Sequence, residues 1–173
     1  RTLSDVLGTL VAVSFDGIRA YVACDRLDSL APRSYIDWIR TMMEDEECRL
    51  VCVDLTTWQV VKETPTASLG GLAVKPDDTQ IFVSEIYKKR VRVVDAITLE
   101  DMWNVSTEPS FPVGIAFVPN GTKAYVVCSA DSGFFDSAGQ LTTPKAPTAE
   151  DFFCAVIDTA DKEIIKRIPL EAY

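Results

Sequence analysis

The chain has 173 residues, 47% apolar and 25% charged, an ordinary composition for one globular domain. Its net charge of −9 repels phosphate backbones and anionic membranes, which argues against generic nucleic-acid binding. No apolar run approaches the ~20 residues of a membrane span, and the absence of His removes the usual zinc, copper and haem ligand and every His-based triad or general base.

Arg1 in place of Met leads to the expectation of a processed or excised product, and Arg1-Thr2-Leu3 aligns with Lys62-Glu63-Thr64, the expected tail of a fourth strand. Next come Leu10-Val11-Ala12-Val13, the turn Ser14-Phe15-Asp16-Gly17, and Ala20-Tyr21-Val22. Two β-rich runs about a Gly-bearing turn read as a hairpin. The pattern returns as Gly71-Leu72-Ala73-Val74-Lys75-Pro76-Asp77-Asp78 with Ile81-Phe82-Val83, and as Gly114-Ile115-Ala116-Phe117-Val118-Pro119-Asn120-Gly121 with Ala124-Tyr125-Val126. Two departures stand out. Phe15 replaces the turn Pro of the other repeats, and Asp78 replaces the turn Gly.

Downstream of each hairpin an alternating run ends in Asp54, Asp95 or Asp158, and a short turn and another β-rich run follow. That makes four short strands per unit. The spacing is 41 residues from Asp54 to Asp95 and 63 from Asp95 to Asp158, a period a little over 40 with two enlarged units. Four strands at ~40–45 residues predict propeller blades. The expected fold is all-β: three four-stranded antiparallel blades, over about 5–66, 67–109 and 110–170, belonging to a ring of six to eight. Ala12, Ala73 and Ala116 form one column, suited to the crowded strand nearest the axis. Tyr21, Phe82 and Tyr125 form another, expected to pack between blades.

Insertions separate the second and third strands of the outer units. The first, 25–47, carries a capping-box-like start at Ser34-Tyr35-Ile36-Asp37 and an apolar face of Tyr35, Trp38, Ile39, Met42 and Met43, which predicts one short helix. That face either covers its own blade or presents Tyr35, Trp38 and Arg40 to a partner. Consecutive carboxylates in Glu44-Asp45-Glu46-Glu47 point in different directions and form a solvated run rather than a metal site. The second insertion, 129–152, is rich in Gly, Pro, Ser and Thr and offers Phe134 and Phe135 as binding candidates. Its Asp131, Asp136 and Glu150 do not match a calcium loop. No catalytic residue, metal site or cofactor is assigned.

The five cysteines have an internal control in the second unit, which lacks an insertion. Cys24 and Cys128 share a column that Glu85 occupies there, and Cys48 and Cys154 lie at even offsets before Asp54 and Asp158. Cysteines thus stand where a long loop must be closed. The expectation is two disulfides, Cys24–Cys48 and Cys128–Cys154, with Cys52 a buried thiol, the alternative being five thiols in a reducing compartment. Sequons at Asn104 and Asn120 are compatible with glycosylation and secretion. An extracellular, cell-surface or periplasmic location follows from these two features.

The motif Gly-Ile-Ala-Phe-x-Pro-Asn-Gly-Thr-x-Ala-Tyr-Val, followed by Val-Ile-Asp-Thr-Ala and Ile-Pro-Leu, resembles the YVTN β-propeller repeat of surface-layer-like proteins. The resemblance implies a closed, often seven-bladed ring serving as an extracellular or periplasmic binding scaffold. Related propellers include lactonase-like hydrolases and subunits supporting quinone-dependent dehydrogenases. The repeat is structural and carries no catalytic residue across. The expected role is a binding or interaction scaffold that contacts a protein or small molecule through 25–47 and 129–152. Its partners include further propeller blades from the same or another chain, with no nucleic acid and no membrane insertion.

Overall fold

The computed structural model describes residues 6–26, 48–67, 69–130 and 148–170. The first sheet contains β1 (Val6–Val13), β2 (Arg19–Arg26), β3 (Cys48–Asp54) and β4 (Gln59–Thr66). A second holds β5 (Leu69–Val74), β6 (Gln80–Glu85), β7 (Arg90–Asp95) and β8 (Asp101–Ser106). The third holds β9 (Phe111–Phe117), β10 (Lys123–Ser129), β11 (Phe153–Asp158) and β12 (Glu163–Pro169). Strands pair antiparallel in chain order within each sheet. The architecture is three blades of a β-propeller. Among the described residues the only helical stretch is a 3-10 turn at Ala149–Asp151, and the helix expected within 25–47 lies outside them.

Local chemistry explains why each blade turns where it does. Gly17 and Gly121 hold the first turn at φ of 71° and 68°, and Asp78 holds its counterpart at 57°. The Asp that ends each third strand caps the next turn. Asp54 Oδ1 accepts the Thr56 and Thr57 N–H groups, both at 2.8 Å, and Asp95 Oδ1 accepts those of Ile97 and Thr98, both at 2.8 Å. Asp158 repeats the arrangement with Ala160 and Asp161 at 2.9 and 3.2 Å. These bonds favour the ionised form, so the Asp54 and Asp95 carboxyls are held below the ordinary value. The three aspartates are turn caps, an Asx role.

Register irregularities recur in step. The third and fourth strands slip at Cys52/Val53, Val93/Val94 and Val156/Ile157, and the first and second at Gly8/Leu10, Leu69/Gly71 and Val127/Cys128. A bulge bends a strand and raises its twist. Three blades with the same bulges have the same curvature and can stack.

Stacking buries the core in two layers, one on each face of the middle blade. Tyr21, Leu50 and Cys52 meet Val74, Ile81, Val83, Val94 and Leu99. On the opposite face Phe82, Val91 and Val93 meet Ala124, Val126, Phe153 and Ile157, with Phe82 edge-on to both Trp103 and Phe117. Each fully buried aliphatic or Phe side chain contributes about 1.5–3 kcal/mol, so these layers supply most of the cohesion. The aromatic column divides. Tyr21 and Phe82 are fully buried, whereas Tyr125 is 37% exposed on the outer face of the third blade.

Crowding at the inner strands falls on glycines rather than on the alanine column. Ala12 and Ala73 are half-buried and Ala116 is exposed. A Cβ on Gly70 would lie 2.5 Å from the Pro112 carbonyl oxygen and 2.8 Å from the Val113 Cα, and one on Gly71 would lie 3.0 Å from the Gly114 Cα. Backbone meets backbone there, so β5 and β9 approach only because these side chains are absent.

The two departures from the repeat meet in space. Asp78 Oδ1 accepts the Phe15 N–H at 2.7 Å and Oδ2 accepts the Asp16 N–H at 2.9 Å, tying the second blade to the first turn of its neighbour. Pro76 and Pro119, at the positions matching Phe15, have no N–H to give.

Two outcomes follow. Gly70→Ala lowers stability by about 1–3 kcal/mol, read from the urea midpoint, because the opposing atoms belong to backbone and cannot rotate aside. In a double-mutant cycle, Asp78→Gly and Phe15→Pro show a coupling of about 1 kcal/mol, and strictly additive effects would remove the tie from the account.

Candidate interaction surfaces

Three surfaces offer contacts: the rim where the insertions leave the blades, and the outer faces of the first and third blades. At the rim, β2 ends at Arg26 and β3 resumes at Cys48, while β10 ends at Ser129 and β11 resumes at Phe153. The second blade closes the same gap with Ile86–Lys89, where the Lys89 N–H donates to the Ile86 carbonyl at 3.0 Å. Both insertions therefore leave the same edge of the first and third blades, on either side of the second. Tyr35, Trp38, Arg40, Phe134 and Phe135 lie outside the described residues.

The foot of the second insertion is anchored. The Ser110 hydroxyl, on a fully buried residue, donates to the Asp151 carbonyl at 2.8 Å, and Thr107, equally buried, donates to the Ser110 carbonyl at 2.9 Å. Close by, Tyr87 stacks edge-on to Phe111 with centroids 5.8 Å apart, and the Lys89 ammonium lies 5.7 Å from the Phe111 ring centre. This aromatic and cationic patch sits on the rim beside the insertion. Sequence reading missed it because Tyr87 and Phe111 come from separate strand ends with no motif between them.

Glu85 occupies the column of Cys24 and Cys128, and it is fully buried. Its carboxylate pairs with Arg90, lies 3.7 Å from Arg92 Nη1, and accepts the Thr66 hydroxyl at 3.3 Å. Arg92 also pairs with Asp101 and donates to the Pro65 carbonyl at 2.8 Å. A buried carboxylate persists only when so paired. The network joins the outermost strand of the first blade to the second.

The cysteine expectation is corrected. All five cysteines are thiols, and no disulfide joins Cys24 to Cys48 or Cys128 to Cys154. Directly paired residues share a sheet face, and Cys24 pairs with Arg49, Cys48 with Asp25, Cys128 with Phe153, and Cys154 with Val127. Each proposed pair is thus offset by one residue and points to opposite faces. The even offsets do put Cys48 and Cys154 on equivalent faces, but it is the face that Cys24 and Cys128 turn away from. Burial pushes the Cys128 thiol up to about 12, and raises Cys52 and Cys154 for the same reason, so none of these three is an activated nucleophile. Among the described residues no group of three or more acids or cysteines is placed to hold a metal ion.

The outer faces are apolar. On the first blade Val11 and Val13 are 66% and 50% exposed. The third turns Tyr125 and Val127 outward. A blade interior to the array has neither face open.

Known proteins match the fold and not the sequence. No protein family and no curated protein matches the chain. Hydrazine synthase from Kuenenia stuttgartiensis aligns with 93% of this chain and 48% of its own, at a TM-score of 0.52 and 18% identity. U3-55K aligns with 99% of this chain and 41% of its own, at a TM-score of 0.66 and 11% identity. Both are propeller-containing proteins, and at such identities the likeness is one of fold. The chain spans less than half the length of either.

Thiol labelling of the denatured, unreduced chain is expected to find five reactive cysteines. A count of one would restore both disulfides and require the strands around them to shift register.

Proposed function

We propose that the chain is a segment of a YVTN-type β-propeller that works as a binding and interaction scaffold, with other blades completing its ring. One observation carries this reading. The middle blade has both faces covered by neighbours, and the end blades each leave one apolar face exposed, Val11 and Val13 at one end and Tyr125 and Val127 at the other. Exposed apolar faces of this kind mark contact surfaces. Partners outside the ring are met at the rim, where the insertions 25–47 and 129–152 leave a rigid support beside Tyr87 and Phe111.

The motif Gly114 to Val126 supports the YVTN assignment. An extracellular, cell-surface or periplasmic setting rests on the sequons, with Asn104 and Asn120 both exposed. Five cysteine thiols weigh against it, because disulfides are the form that oxidising compartments favour.

Replacing residues 27–47 with the short turn Ile86–Lys89 of the second blade tests the scaffold reading. The grafted protein keeps its β-sheet circular dichroism spectrum, and it no longer retains the partner that copurifies with the unaltered protein. Retention by a chain whose two insertions have both been grafted away would locate binding elsewhere. Turnover of lactones or esters by the completed ring would overturn the scaffold reading in favour of a hydrolase.

A further inference from the structure

We infer that the turn edge shared by the first and second blades is a further interaction surface, built to take a protein segment in which Lys or Arg side chains flank apolar ones. It goes beyond the rim contacts proposed above, because it lies at the opposite end of the strands. The first and third strands of each blade run towards this edge, so the turns that lead into the second and fourth strands stand on it. The insertions leave from the other edge.

Three large apolar side chains stand exposed there: Phe15 at 66%, Ile18 at 46% and Ile97 at 65%. The repeat shows that the turns do not need them. Phe15 corresponds to Pro76 and Pro119, Ile18 to Thr79 and Thr122, and Ile97 to Thr56 and Ala160, so the same turns form with smaller or polar residues. Nor is their exposure an effect of where the blades end. Ile97 belongs to the middle blade, which has a neighbour on both faces. Pro76 meets Gly121 of the following blade, and Phe15 has its following blade in place, tied through Asp78. Thr79 and Thr122 have the preceding blade in place and are exposed all the same. Trp58 differs, because its counterpart Leu99 is buried against the preceding blade, and it is no part of this surface. One junction gathers the three. Asp78 accepts the Phe15 N–H at 2.7 Å, the adjacent Thr79 carbonyl accepts the Ala96 N–H at 3.1 Å, and Ile97 follows Ala96. Ile18 shares the turn of Phe15. Apolar side chains gathered in the open mark a contact surface.

Charge says what covers it. Asp16 stands between Phe15 and Ile18, Asp77 and Asp78 lie on the facing turn, and Asp95 is two residues before Ile97. Asp16 Oδ1 accepts the Ser14 hydroxyl at 2.6 Å and the Ile18 N–H at 2.9 Å, and Asp95 Oδ1 accepts the Thr98 and Ile97 N–H groups. These bonds hold both carboxyls below their ordinary value, so both are charged at neutral pH. Capping uses Oδ1, and Oδ2 of each accepts no bond among the described residues. The turn stretches 14–18, 76–79 and 95–98 contain no Lys or Arg, and the nearby Lys75 ammonium is already paired with Asp77 at 2.7 Å. Apolar anchors inside a negative frame select a partner with apolar side chains and cationic neighbours. The same frame repels the turn edge of a second copy, phosphate backbones and anionic membranes.

Fluorescence anisotropy of a labelled peptide of alternating Lys and Leu, titrated with the full chain, provides the test. Affinity falls at least about 10-fold when Phe15→Ser, Ile18→Thr and Ile97→Thr are combined, as expected of central apolar anchors. Ser at position 15 keeps the N–H that Asp78 accepts. Ile97→Thr alone, which reproduces Thr56 of the first blade, shows part of the loss without touching that contact. Asp16→Asn keeps the capping oxygen, weakens binding and makes it less sensitive to salt, whereas Asp161→Asn on the third blade leaves binding unchanged. Equal affinity for a peptide of alternating Lys and Gly would reduce the effect to diffuse attraction by an acidic chain and overturn the inference. Unchanged affinity in the triple variant would overturn it as well. Grafting away both insertions leaves this binding intact even where it abolishes retention of a rim partner, so the two surfaces fail separately. Loss of peptide binding on grafting would move the contact to the rim and remove the turn edge as its site.

Discussion

A four-stranded blade carries apolar side chains on both faces and can bury neither by itself. Every other feature of this chain answers to that constraint. The middle blade is stable because Tyr21 and Leu50 cover one face and Ala124, Val126 and Phe153 cover the other. Close stacking demands equal curvature, which the repeated bulges supply, and clearance at the inner strands, which Gly70 and Gly71 supply. Stability in such an array is a sum of blades and nearest-neighbour interfaces.

The same constraint accounts for where the chemistry-bearing residues have gone. Asp54, Asp95 and Asp158 are occupied in holding turns, and Asp78 in holding a neighbouring blade. Glu85 and Arg92 cement the outer edge between the first and second blades, and the Tyr21 hydroxyl, raised to about 12 by burial, bonds a carbonyl across the interface. Through Oδ1 each of the three turn aspartates accepts two backbone N–H groups, which commits it to its turn. Among the described residues, what is left for contacts is surface, including the rim where the insertions leave and the apolar outer faces marked by Val11, Val13, Tyr125 and Val127.

Such a division suits a scaffold. The blades supply a rigid frame with deep burial on both sides of the middle sheet, and the connections above it are free to vary without disturbing the frame. The anchoring of Ser110 to Asp151 shows how closely frame and insertion are joined, since the foot of the second insertion is tied to the link between the second and third blades.

Much of the fold was legible because it is written in local chemistry. Gly17 and Gly121 announce tight turns, Asp54, Asp95 and Asp158 announce the next ones, and alternation between them sets strands. A repeat near 40 residues then identifies blades, since each signal depends only on neighbours in the chain. Even the meeting of Asp78 with Phe15 was half visible, as two departures from one pattern, though nothing local said that they touch. The cysteines show where such reasoning stops. Cys24 and Cys48 stand at the right sequence distance to close a loop, but register decides which face each side chain takes, and a shift of one residue puts them on opposite sides of the sheet. Likewise Tyr21, Phe82 and Tyr125 are equivalent in sequence, and only the stacking order buries two and leaves the third exposed. The sequence by itself determined strands, turns and blades, because those are set by contacts a few residues apart. Tertiary structure alone decided faces, partners and exposed ends, because those depend on register across strands and on which blade lies next.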